Sequence, residues 1–232
     1  MADYLDDAKE MTTDIVSEFD ELGKLFPYAK QIIAVYNFVR IKRMKWFLKA
    51  LSSTQDKLTS KEKNRFEKLL ESDEGQELLA EYADSVINTS SKTANIALAI
   101  LFGDIKTESF EKTFKILAAP VLRGITENVV DLFLALIENK ELLEISDIPP
   151  YPIWACREDF VSQVFDVDSE FRDASVLYSV FGELIRRGLL APDHVLGWIA
   201  DPGISIHFGI TKTSMSFYHL LNRARNIAKQ LQ

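Results

Sequence analysis

The stretch ASVLYSVFGELIRRGLL, residues 174–190, decides how the C-terminal third of the chain is read. Leu177, Phe181, Leu184 and Ile185 are spaced by four, three and one, so they share a helical face and form an apolar stripe. Arg186 and Arg187 put cations in the last turn, and Gly188 places a residue tolerant of positive φ just beyond it. Downstream, HVLGWIADPGISIHFGIT (194–211) changes period. Ile204, Ile206, Phe208 and Ile210 alternate with Ser205, His207, Gly209 and Thr211, the pattern of a half-buried strand. Residues 195–200 make a second short apolar run, and Asp201-Pro202-Gly203 between them can reverse the chain, so a β-hairpin is predicted. Thr211 or Thr213 is placed to cap a last helix with Phe217, Leu220, Leu221, Ala224, Ile227 and Leu231 on its apolar face.

A helix ending in Arg-Arg-Gly-Leu-Leu, a two-stranded wing, and a strand running through Ile210-Thr211 into a helix resembles a winged-helix module over residues 157–221. In nucleic-acid-binding members of that superfamily the helix before the wing enters the major groove. The resemblance would place Ser175, Ser179, Glu183 and Arg186 outward on that helix. The residues themselves argue for another use. Groove binding needs cations near phosphate, but Glu170, Asp173 and Glu183 accompany this helix and residues 200–211 contain no lysine or arginine. A winged helix that packs against or binds protein is the expectation.

Length and composition set outer bounds. With 232 residues, 47% of them hydrophobic and 27% charged, the chain can bury a sizeable core and has a globular composition. A net charge of -8 argues against nucleic acid as a partner for the whole surface while allowing a local basic patch. One cysteine, Cys156, excludes an internal disulfide, which points to a reducing compartment. The opening MADYLDDAKEMTTD is acidic, unlike a secretory signal or transit peptide. Lys30, Asn37, Arg40 and Lys42 interrupt the best candidate for a membrane span. A soluble, cytoplasmic protein is expected.

Charge is segregated along the N-terminal half. Residues 3–21 hold eight acidic side chains against one lysine, nearly the whole net charge, in an acidic lead assigned to residues 1–24. Residues 28–39 are apolar almost all round, which suits a buried helix. Past them, Ile41, Met44, Leu48 and Leu51 share one face, and Lys42, Lys45 and Lys49 share another. From Arg40 to Lys68 there are ten cations and three acids. The candidate partner or anion contacts are therefore Arg40, Lys42, Arg43, Lys45 and Lys49, with Arg186 and Arg187 of the C-terminal helix. This ridge has three readings: a solvated face paired with acidic segments of the chain, a contact for nucleic acid or an acidic protein, or a membrane-surface contact with Trp46 and Phe47 at the headgroups.

The remaining signals describe a bundle. Thr59 to Glu62 matches a capping box, and Asp73-Glu74-Gly75 breaks or restarts the helix it opens. Ser90 or Ser91 can cap a helix ended by Gly103. Thr107 can cap another, which Pro120 should kink or end, and Thr126 opens the next. Residues 25–144 thus read as a helical bundle. Asp147, Pro149, Pro150 and Pro152 mark 145–156 as a proline-rich linker pinned by Tyr151 and Trp154, with residues 157–232 as the winged-helix-like module and its C-terminal helix. A short helix is expected over 157–165. The order of a capped lysine-rich helix, a small-residue helix ended by Phe102-Gly103-Asp104, the Phe110/Phe114 helix and this terminal unit looks like helical proteins of bacteria and prophages. That resemblance implies a cytoplasmic accessory role.

No catalytic spacing emerges. His194, His207 and His219 are not paired at helical spacing, and Cys156 sits among Trp154, Ala155 and Phe160 as a packed thiol would. Phosphate-loop, dinucleotide and serine-hydrolase motifs are missing, and Asp166/Asp168 lack the further ligands of a cation site. The expectation is a mainly α protein, a bundle followed by a winged-helix-like module with one hairpin. It needs no cofactor and acts without catalysis through a protein partner. Nucleic acid and then a membrane surface are the alternatives.

Overall fold

The computed structural model describes residues 29–55, 59–103, 112–147, 149–157, 174–193 and 205–230. In chain order they form α1 (Ala29–Gln55), α2 (Ser60–Glu71), α3 (Asp73–Asn88), α4 (Lys92–Gly103), α5 (Lys112–Leu122) and α6 (Glu127–Glu138). Strands β1 (Glu144–Ser146) and β2 (Ile153–Arg157) follow, then α7 (Ala174–Arg186), β3 (Ala191–Pro192), β4 (Ser205–Gly209) and α8 (Lys212–Gln230). The fold is mainly α with a small antiparallel sheet, as the periodicities require. The chain divides between Lys42 and Arg43, inside α1, and Arg43–Gln232 is one unit.

Local chemistry starts the helices where the sequence places them. Glu62 accepts from both the backbone N–H (2.8 Å) and the hydroxyl (2.6 Å) of Thr59, the carboxylate half of the capping box. Ser72 takes the N–H of Gly75 at 3.1 Å, so Asp73-Glu74-Gly75 restarts a helix rather than ending the run. Of the two serines before α4, Ser91 is the cap, accepting from Ala94 N at 2.9 Å. Of the two candidate threonines, Thr213 lies inside α8 and Thr211 is the cap. It accepts from Ser214 N at 3.1 Å while the Ser214 hydroxyl accepts from Thr211 N at 3.0 Å. Thr126 stands at the start of α6 without a capping side-chain bond. Pro120 lies in the last turn of α5, which ends two residues later. The Thr107 cap falls outside the described residues.

The helix at 174–186 ends as its glycine predicts. Gly188 has φ +76°, its N–H reaches Ile185 O (2.9 Å), and the Leu189 N–H reaches Leu184 O (3.0 Å). These two bonds close a Schellman motif, with Leu184 and Leu189 both buried beside it.

α4 is the centre of the unit. Every residue from Thr93 to Gly103 is buried, and α3, α5, α6 and α8 pack around it. Its alanines let α8 lie along it through Phe217, Leu220, Leu221, Ala224 and Ala228. Aromatic pairs join the layers: Phe47 and Tyr82 with Phe102, Phe114 with Phe217 at 4.6 Å, and Phe181 with Phe208 at 5.3 Å.

The C-terminal third departs from expectation at the proline-rich segment. Residues 145–156 are not a linker. β1 and β2 form an antiparallel hairpin, and β2 pairs antiparallel with β4, giving the strand order β1-β2-β4-β3. Ile153, Ala155 and Cys156 are buried, and a strand buried on both faces shows no alternation by which the sequence could announce it. The prolines occupy the connection between β1 and β2, where no ladder donor is needed. Tyr151 does pin this segment: its hydroxyl donates to Pro192 O at 2.9 Å and its ring covers Gly209. The consequence is that 43–144 and 157–232 do not separate into two domains. One core runs from Phe47 to Ala228. β4 alternates as predicted, with Ile206 and Phe208 buried and His207 half-buried. The 195–200 strand, the Asp201-Pro202-Gly203 turn and residues 158–165 of the short helix lie outside the described residues, while Arg157 ends β2.

Candidate interaction surface

The predicted cations divide between those that hold the fold and those that face solvent. Arg187, on the turn after α7, has a side chain only 10% exposed. Its guanidinium donates to Glu183 Oε1 (2.6 Å), to Val121 O (2.8 Å) and to Arg123 O (2.6 Å). The two carbonyls belong to the end of α5, where backbone acceptors have no helical donor. Arg187 is therefore a clasp between α7 and the α5–α6 turn. Glu183 also binds Arg186 through bonds of 2.7–2.9 Å. Burial raises the Glu183 pKa, but the hydrogen bonds and charges of the two arginines outweigh it and hold the carboxyl below its ordinary value. Arg186 keeps a 68% exposed side chain with its charge balanced by Glu183.

The same α5–α6 turn is gripped from its other side. The Thr89 hydroxyl lies 2.7 Å from Ser85 O and 3.0 Å from Leu122 O, and it accepts from Gly124 N at 3.0 Å. Ser91 N donates to Ile125 O at 3.2 Å, Asn95 Nδ2 to Thr89 O at 3.1 Å, and Arg123 pairs with Asp84 at 2.9 Å. Arg187 thus fastens α7 to a turn that the helices also grip, which takes Arg187 out of the set available to an external partner, while Arg186 remains on the surface paired with Glu183.

The α1 cations sort in the same way. Arg43 donates to Ile87 O at 2.5 Å, so it secures the end of α3. Lys45 and Lys49 are exposed. In the part of α1 before the division, Lys42 is exposed and Arg40 half-buried. The apolar stripe is rotated from its expected setting. Phe47 and Ala50 are buried with Met44 and Leu51 against them, whereas Leu48 is 54% exposed among Lys45, Lys49 and Ser52. Ile41 and Phe38, expected on an apolar face, are also exposed. Sequence reasoning missed Leu48 as a surface residue because Ile41, Met44, Leu48 and Leu51 fit a helical period as well as the true stripe does.

The groups capable of chemistry are dispersed. Cys156 is buried in β2, His207 Nδ1 lies 3.4 Å from Asp193 Oδ2, and His219 is exposed on α8. His194, Asp166 and Asp168 fall outside the described residues. Among the described residues no three His, Cys, Asp or Glu side chains gather around a point that could hold a metal ion, and no helix is long and apolar enough to cross a membrane. No protein family, curated protein or solved structure matches this chain.

Proposed function

We propose that this is a non-enzymatic regulatory or adaptor protein that works by docking another protein on the solvent face of α1. The observation that carries the reading is Leu48, half exposed and flanked by Lys45 and Lys49. An apolar side chain ringed by long cationic ones suits a partner whose carboxylates surround a small apolar patch. The buried side of the same helix, Phe47 and Ala50, anchors it in the core, so the face is presented from a rigid element. A cytoplasmic accessory role, of the kind implied by the likeness to bacterial and prophage helical proteins, accords with this use. The winged-helix-like third would serve as packing, since Arg187 is committed to the α5–α6 turn.

The test is a photo-cross-linking residue at Leu48, identification of the captured protein, and reconstitution with purified components. A reconstituted complex weakened about tenfold or more by Leu48→Asp and by Lys45→Glu/Lys49→Glu, with melting unchanged, supports the reading. A complex indifferent to both variants overturns it. So does capture of nucleic acid alone, or co-flotation with anionic vesicles that these variants abolish.

A further inference from the structure

α8 carries a charge asymmetry that neither the hairpin nor the basic 40–68 segment accounts for. Its nineteen residues, KTSMSFYHLLNRARNIAKQ, contain no aspartate or glutamate. Lys212, Ser216, His219, Arg223, Asn226 and Gln230 step by four, three, four, three and four, so they form one straight row on the helix. All are exposed except Ser216, which is half-buried, and Lys229 flanks the row as another exposed cation. The opposite face is the one buried against α4. Arg225, off the row, is neutralised by Glu138 of α6. No described carboxylate pairs with Lys212, Arg223 or Lys229. In a chain with 35 acidic residues, a face of α8 with two cations in its row, a third on the adjoining face and no described carboxylate paired with them is a distinct surface.

We infer that this row is a docking face for the phosphate backbone of duplex DNA. Charge complementarity carries the assignment. Every side chain in the row can donate a hydrogen bond; Lys212 and Arg223 bear permanent positive charge there, and Lys229 adds a third cation on the adjoining face. The row extends about 27 Å along a straight axis, the span of roughly eight base pairs at 3.4 Å each. A duplex holds one negative charge per about 1.7 Å of axis, the density a sparse cationic row needs to release counterions measurably. The contacts are to phosphate, so binding is independent of base sequence. The row is on α8, whereas Lys45, Leu48 and Lys49 are on α1, and the inference stands or falls separately from the proposal for α1.

The experiment is fluorescence anisotropy of the full chain with a labelled mixed-sequence duplex of about twenty base pairs, titrated at several salt concentrations. Three phosphate contacts predict a slope of log K against log salt of about -2 to -3. Lys212→Glu/Arg223→Glu/Lys229→Glu should weaken low-salt binding about tenfold or more, with circular dichroism and melting unchanged. Lys45→Glu/Lys49→Glu should leave it within about twofold. Should the triple variant unfold, Arg223→Gln with Lys229→Gln replaces it, with a loss of about threefold or more expected. Absence of binding at low salt overturns the inference. The same follows if the α8 variants bind like the parent chain, if α1 variants alone abolish binding, or if anionic vesicles bind while the duplex does not.

Discussion

Arg186 and Arg187 are neighbours in sequence with opposite fates. Arg186→Ala removes an exposed ion pair and should cost less than about 0.5 kcal/mol. Arg187→Ala strips two carbonyls and a half-buried carboxylate of their donor and should cost about 2–3 kcal/mol in urea denaturation. Arg187→Lys should recover only part of that, because one ammonium cannot reproduce a planar fork spanning three acceptors. Equal losses for Arg186 and Arg187 would contradict the clasp. Gly209 makes a second residue-scale prediction. A Cβ there would run into the Tyr151 ring, so Gly209→Ala should destabilise by about 1–3 kcal/mol. In the Tyr151→Ala background the same change should cost distinctly less, which a double-mutant cycle reads directly.

At the scale of elements, pH separates two carboxylates. Glu183 titrates below its ordinary value, so its bonds to Arg186 and Arg187 stabilise the fold fully above the usual glutamate range, and that contribution is lost as pH falls below it. The stability advantage of the parent chain over Glu183→Gln, followed by denaturation across pH 3–7, should shrink towards acid. Asp131 on α6 behaves oppositely. Burial first, then Glu127 and Glu138, raise its pKa against the pull of Arg225. Its charge is therefore a penalty in the folded state at neutral pH, and protonation relieves it. Asp131→Asn should stabilise the protein at pH 7 by up to about 1 kcal/mol, with the gain vanishing towards the ordinary carboxylate range. The helix starts at Ser91 and Thr211 were legible as short-range chemistry, although only the structure chose between each serine or threonine and its neighbour. β2 was not legible. Its residues look like part of a linker until β4, about fifty residues later, supplies the ladder.

Over the whole molecule, the polar grip on the α5–α6 turn couples the helices to the C-terminal third. Unfolding of Arg43–Gln232 should be a single cooperative transition, checked by coincident far-UV and near-UV melts. Separate transitions for 43–144 and 157–232 would restore the two-domain expectation. The surface divides in the same way as the cations do. Arg43 and Arg187 are internal fasteners, while Lys45 and Lys49 on α1 and the α8 row face outward. The α8 row could have been found from sequence by asking where carboxylates are missing rather than where lysines cluster.

What the amino-acid order determined by itself was everything carried by near neighbours: helix periods, caps, the Gly188 stop and the alternation of β4. These depend on interactions within about four residues, so they survive being read without a partner. Tertiary structure alone decided which of two equivalent apolar stripes of α1 faced inward, that 145–156 joined a sheet, and which arginines had carbonyls to hold. Those outcomes depend on surfaces brought together from distant parts of the chain, and the energy of a buried stripe, a ladder or a clasp exists only once its counterpart is in place.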